Sequence, residues 1–111
     1  MKKRIILKHY LIAALWAEEL DSREIDEILP ASIIQAQKDI KLFVDTNKNL
    51  LKQSKLSEEQ IGHDFWLTRN HHGTGIWDRD LEKNISKQLT DACEKFTELN
   101  VFGEGEEIII E

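Results

Sequence analysis

Apolar residues recur at three- and four-residue spacing from Ile5 to Leu20, from Ile33 to Leu51 and from Leu81 to Leu99, a period that buries one stripe of a helix. Whatever else the chain forms must therefore pack against three amphipathic helices. Leu7, Tyr10, Leu11, Ala14 and Leu15 make the first stripe, with Glu18 and Glu19 at its far end. Pro30, the only proline, suits the first position of the second helix, where its missing N–H costs nothing. That helix is expected to run on through Ile40, Phe43, Val44 and Leu51. The third carries Leu81, Ile85, Leu89, Ala92, Cys93, Phe96 and Leu99, with Asp80 near its start, where a negative charge suits the helix dipole. Asp21 to Leu29 reads as a polar connection with one helical turn anchored by Ile25, Ile28 and Leu29.

Ser57 and Gln60 form a capping box, Leu56 and Ile61 occupy staple positions, and Gly62 is expected to end the short helix that follows. From His63 to Arg69 the pattern alternates as in a strand. Asn70-His71-His72-Gly73-Thr74-Gly75 reads as a loop, and Ile76 to Arg79 as the returning strand of a hairpin. A second hairpin is expected from Val101-Phe102, a turn at Gly103-Glu104-Gly105, and Ile108-Ile109-Ile110. The predicted architecture is one α+β domain over residues 1–111, three main helices packed on a small antiparallel sheet of two β-hairpins.

A chain of 111 residues suits one domain, and 41% hydrophobic with 32% charged residues is a globular composition. The single cysteine, Cys93, excludes an intrachain disulfide and any zinc site needing two thiolates. Its place on the helical stripe makes it a packed thiol rather than a nucleophile. The basic and apolar start at Met1–Leu7 breaks at Lys8 and His9 without a signal-peptide cleavage site, and no segment has membrane-spanning length, so a cytoplasmic protein is expected. The formal charge is −6, yet Lys2, Lys3, Arg4 and Lys8 stand together without an acid among the first ten residues. Nonspecific nucleic-acid binding has no footprint in such a chain; an acidic surface instead suits a basic partner, including by mimicry of nucleic acid.

Between Gly62 and Arg79 lie three of the four histidines and two of the three tryptophans, with two Asp and two Arg. A hairpin register would put His63, Arg69 and Asp78 around Phe65, Leu67 and Ile76 on one face. The other face would hold Asp64, Trp66, Thr68, Trp77 and Arg79, Trp66 opposite Trp77 and Asp64 opposite Arg79. Paired tryptophans beside arginine are hot-spot chemistry, which gives the candidate binding set Asp64, Trp66, Arg69, Asn70, His72, Trp77, Asp78 and Arg79. The same residues also read as a second core layer. Two chemical alternatives stand beside these readings: proton transfer by His63 or His72 oriented by Asp64 or Asp78, and an anion cradle at Gly73-Thr74-Gly75 helped by Arg69 and Arg79. No nucleophile accompanies the histidines, so no catalytic residue is assigned. His63, His71 and His72 lack metal-ligand spacing, and neither metal nor cofactor is expected.

The run His63-Asp64-Phe65-Trp66-Leu67-Thr68-Arg69-Asn70, followed by His72-Gly73, Gly75 and Trp77-Asp78-Arg79, resembles the central motif of a family of small uncharacterised proteins from bacteriophages and prophages. Tyr10 to Trp16, Pro30, Asp39, Phe43, Leu89-Thr90 and Ala92 resemble that family more loosely. The resemblance carries no assigned activity. By analogy with small phage accessory proteins it implies a non-catalytic modulator that binds a host or defence protein in the host cytoplasm. The family usually has Gly where this chain has His71, and Phe where it has Ile76.

Overall fold

A computed structural model describes residues 1–111. Five helices, α1 (Lys3–Ala17), α2 (Pro30–Thr46), α3 (Lys48–Ser54), α4 (Glu58–Arg69) and α5 (Lys83–Glu94), carry the molecule, and two short strands, β1 (Val101–Glu104) and β2 (Glu107–Ile110), close it. Single helical turns stand at Ile25–Glu27 and Ile76–Asp78. The protein is mostly helical with one small antiparallel sheet, so the α+β class holds in its coarse form. The three-helix, two-hairpin arrangement does not. None of the helices is long and apolar enough to cross a membrane.

The first predicted hairpin is the main correction. Ser57 does cap a helix, its side chain accepting from the Gln60 N–H while Gln60 returns the bond, but the helix continues through Gly62 to Arg69. Gly62 is there for proximity rather than termination. A Cβ at that position would collide with the Ile6 carbonyl oxygen and lie 2.9 Å from the Tyr10 nitrogen, so α1 and α4 meet backbone to backbone. The two helices run side by side in the same direction: Lys2 meets Glu58, Tyr10 meets Trp66, and Glu18 approaches His72. α2 returns against them, with Lys3 pairing Asp45 at one end and Arg69 joining Tyr10 to Asp39 further along.

Phe43 of α2 stacks on Phe65 of α4 at 4.2 Å, and Phe96 meets Phe65 edge-on at 5.0 Å. Phe43 and Phe65 sit in one core of 23 buried apolar residues drawn from every helix and from the hairpin, and Phe96 packs against it, partly buried. Pro30 opens α2 as its chemistry predicts, but the long second helix breaks at Asn47, whose side chain turns back to donate to the Phe43 carbonyl. The C-terminal hairpin forms with Val101 opposite Ile110 and Gly103 opposite Ile108. It docks on the start of α2, where Leu29 donates to the Ile108 carbonyl and the Ser32 hydroxyl bridges the Ile110 N–H and C=O.

The α1–α4 contact has no slack for a methyl group. Gly62→Ala is expected to cost about 3 kcal/mol or more, because overpacking here must push whole helix backbones apart rather than shift a side chain. Urea denaturation of the variant checks it, and an unchanged midpoint would show that the helices can separate freely.

Candidate functional site

With α4 helical, neighbours in the motif no longer alternate between two faces. Phe65, Trp66 and Arg69 turn toward α1 and α2, whereas Asp64 and Thr68 turn toward the segment 75–79. Trp66 is 0% exposed and edge-on to Tyr10 at 5.2 Å, so it belongs to the core and not to a binding surface. Trp77, which a hairpin register would set opposite it, is 41% exposed on the surface. That aromatic pair does not form.

Arg69 is only 3% exposed, an unusual position for a guanidinium. Its Nη1 donates to Asp39 Oδ2 at 2.7 Å and to the Tyr10 hydroxyl at 3.0 Å, and its Nε donates to the Thr97 carbonyl at 2.7 Å. The guanidinium carbon lies 5.3 Å from the centre of the Phe96 ring. Asn70 ties the same region together, donating to the Trp66 carbonyl and accepting the Leu99 N–H at 2.7 Å. Both residues join α4 to the chain beyond α5, and neither faces solvent in a binding pose. Burial pushes the Tyr10 hydroxyl up to about 12, against the opposing pull of the Arg69 charge.

Asp64, 2% exposed, holds Arg79 in a two-pronged pair, Oδ2 accepting from Nε at 2.7 Å and Oδ1 from Nη2 at 2.9 Å. The predicted Asp64–Arg79 partnership therefore exists, made by a helix and a following turn instead of two strands. The carboxylate raises the Arg79 pKa further above its already high value. His63 Nδ1 lies 3.3 Å from Asp64 Oδ1, and the His63 ring stands 6.2 Å from that of Trp16, which is 56% exposed. Trp16 lies outside the candidate set because its position just off the α1 stripe gives it no distinctive signal in the sequence.

The Gly-rich loop is not an open cradle. Asp78 accepts the Gly75 N–H at 3.0 Å, Thr68 Oγ1 accepts the Ile76 N–H at 3.1 Å, and Arg69 is buried elsewhere. Gly75 leaves no room for a side chain, since a Cβ would collide with the Thr68 hydroxyl. His72 is exposed, with Nε2 3.9 Å from Glu18 Oε1. Cys93 is fully buried, and burial raises its thiol pKa, the Asp64 charge adding to the effect. No three His, Cys, Asp or Glu side chains are grouped so as to hold a metal ion.

α4 ends in a Schellman motif: the His71 N–H donates to the Thr68 carbonyl and the His72 N–H to the Leu67 carbonyl. His71 occupies the left-handed position at φ 55, where glycine is usual. Its ring lies between Glu94 and Glu98 of the segment opposite, at 3.3 and 3.5 Å. No protein-family model, curated protein or solved structure matches the chain.

Two outcomes follow from this geometry. His71→Gly is expected to raise stability by about 1 kcal/mol by removing the left-handed penalty, read as a higher chemical-denaturation midpoint. At alkaline pH the folded state, which holds the Tyr10 proton more tightly than the unfolded chain, should lose stability as pH rises from about 10 to about 12. The loss is about 3 kcal/mol, and Tyr10→Phe should flatten that limb of the stability–pH curve.

Proposed function

We propose that the protein is a small, non-catalytic accessory protein of phage type that binds and modulates a host or defence protein. The observation that carries this reading is the division of the motif. Asp64, Trp66, Thr68, Arg69 and Asn70 are engaged inside the fold, while aromatic and basic groups remain at the surface beside them. A run of neighbours marks that surface: Trp16 by His63, His63 by Asp64, Asp64 paired with Arg79, and Arg79 lining the same groove as Trp77.

Large, partly polar side chains beside a half-buried ion pair are suited to an interface, because little conformational freedom is lost when a partner covers a pre-ordered surface. Of the candidate set read from the sequence, Trp77 and Arg79 keep a binding role, with His72 and Asp78 at the margin. Trp16 and His63 join them. Proton transfer by the His63–Asp64 pair finds less support, since no nucleophile stands beside it and His63 lines none of the main clefts.

Capture from bacterial lysate tests the reading. Wild-type protein is expected to retain a partner whose recovery falls about tenfold or more in a Trp16→Ala, Trp77→Ala double variant that keeps the wild-type melting temperature. A partner retained equally by both proteins would move the interface away from this face.

A further inference from the structure

We propose that the groove between the Ile76–Asp78 turn and α5 binds a small phosphate-bearing aromatic molecule of mononucleotide size. The groove measures about 410 Å³ and is lined by Trp77, Arg79, Lys83, Ser86, Lys87 and Thr90, with Leu81 and Asp91 completing the walls. It shares Trp77 and Arg79 with the proposed protein-binding face but needs no protein partner, so nucleotide binding and partner capture can each fail without the other.

Three features single out this ligand class. Trp77 presents an exposed indole on one wall, a plate on which a flat ring can stack. Arg79, Lys83 and Lys87 all line this one groove, in a chain whose net charge is −6. Of the acids nearby, Asp64 holds Arg79, Asp78 accepts the Gly75 N–H, Glu82 accepts the Asn84 and Ile85 N–H groups, and Asp91 pairs Lys87 at 3.0 Å, while Asp80 is exposed to solvent. Lys83 makes no ion pair, and Asp64 occupies only Nε and Nη2 of Arg79, leaving Nη1 without a partner.

A phosphate monoester brings three acceptor oxygens and a charge of about −2, enough to engage Lys83 and the free Arg79 Nη1 together. The third feature is spacing: Lys83, Ser86, Lys87 and Thr90 stand three and four residues apart, on the one face of α5 that lines the groove.

The test uses adenosine monophosphate as probe, with adenosine and inorganic phosphate as separate arms. In a Trp16→Phe background the exposed indole is Trp77, so its fluorescence reports stacking. Saturable quenching by the nucleotide is expected, with adenosine and phosphate each binding about tenfold more weakly or worse. Lys83→Glu should raise Kd about tenfold. Trp77→Ala, followed by calorimetry because its reporter is gone, should weaken binding by a similar factor. Both changed residues are exposed, and circular dichroism verifies that the variants fold. Three results would overturn the proposal: no saturation by about 10 mM nucleotide, equal binding of adenosine or of phosphate alone, or affinity unchanged by Lys83→Glu.

Discussion

The backbone contact at Gly62 sets the rest of the structure. Because α4 has no side chain there, it can lie directly on Ile6 and Tyr10, and the residues of the next two turns are then carried into the interior. Trp66 meets Tyr10, Phe65 meets Phe43, and Arg69 reaches Asp39. A wider helix separation would leave Arg69 short of its acceptors and the aromatic stack without closure. The two helices thus act as one unit, against which α2 and α5 pack.

The buried charges are the second constraint, and their worth lies in specificity more than in stability. Desolvating a guanidinium and a carboxylate is expensive, and in other proteins well-packed apolar replacements can match such a pair; removing one partner alone typically costs about 3–5 kcal/mol. Arg69 offsets the cost with three oxygen acceptors and two flanking rings, and Asp64 by using both oxygens on one arginine. Each pair joins segments distant in sequence: Arg69 connects α4 to α2, α1 and the residues before β1, and Asp64 connects α4 to the turn after it. An apolar substitute would fill space without choosing among these registers. The dense motif is in large part an address system for the fold.

That role explains which features are legible from the residues in order and which are not. The stripes of α1, α2 and α5 are legible because each has a solvent side, and Pro30, Ser57–Gln60 and Gly105 mark boundaries by local chemistry. α4 is different: from Ile61 to Arg69 every residue but His63 is buried, so no polar side exists to produce a helical period. Its polar members Asp64, Thr68 and Arg69 find partners 15, 8 and 30 residues away, which local spacing does not announce. The alternation of Phe65 and Leu67 with Asp64, Trp66 and Thr68 then imitates a strand. The Asp64–Arg79 pair is legible because opposite charges in a compact motif seek each other in either conformation. Trp66 against Trp77 is not, since that pairing requires the hairpin itself.

His71 shows how a position can be constrained by backbone and still carry an unfavoured residue. The Schellman closure of α4 requires a left-handed residue between Asn70 and His72, a conformation that glycine would meet without strain. Histidine accepts the conformation and places its ring between Glu94 and Glu98, a contact glycine cannot make. The same closure aims the chain into Gly73–Gly75, where Thr68 and Asp78 fix the turn that presents Trp77 outward and swings Arg79 back to Asp64. The turn that carries Trp77 is therefore fixed by the helix end, the Gly75 contact and the buried carboxylate together. A turn held by three internal constraints presents its exposed indole with little further backbone ordering needed, which suits the recognition role proposed for this edge of the molecule.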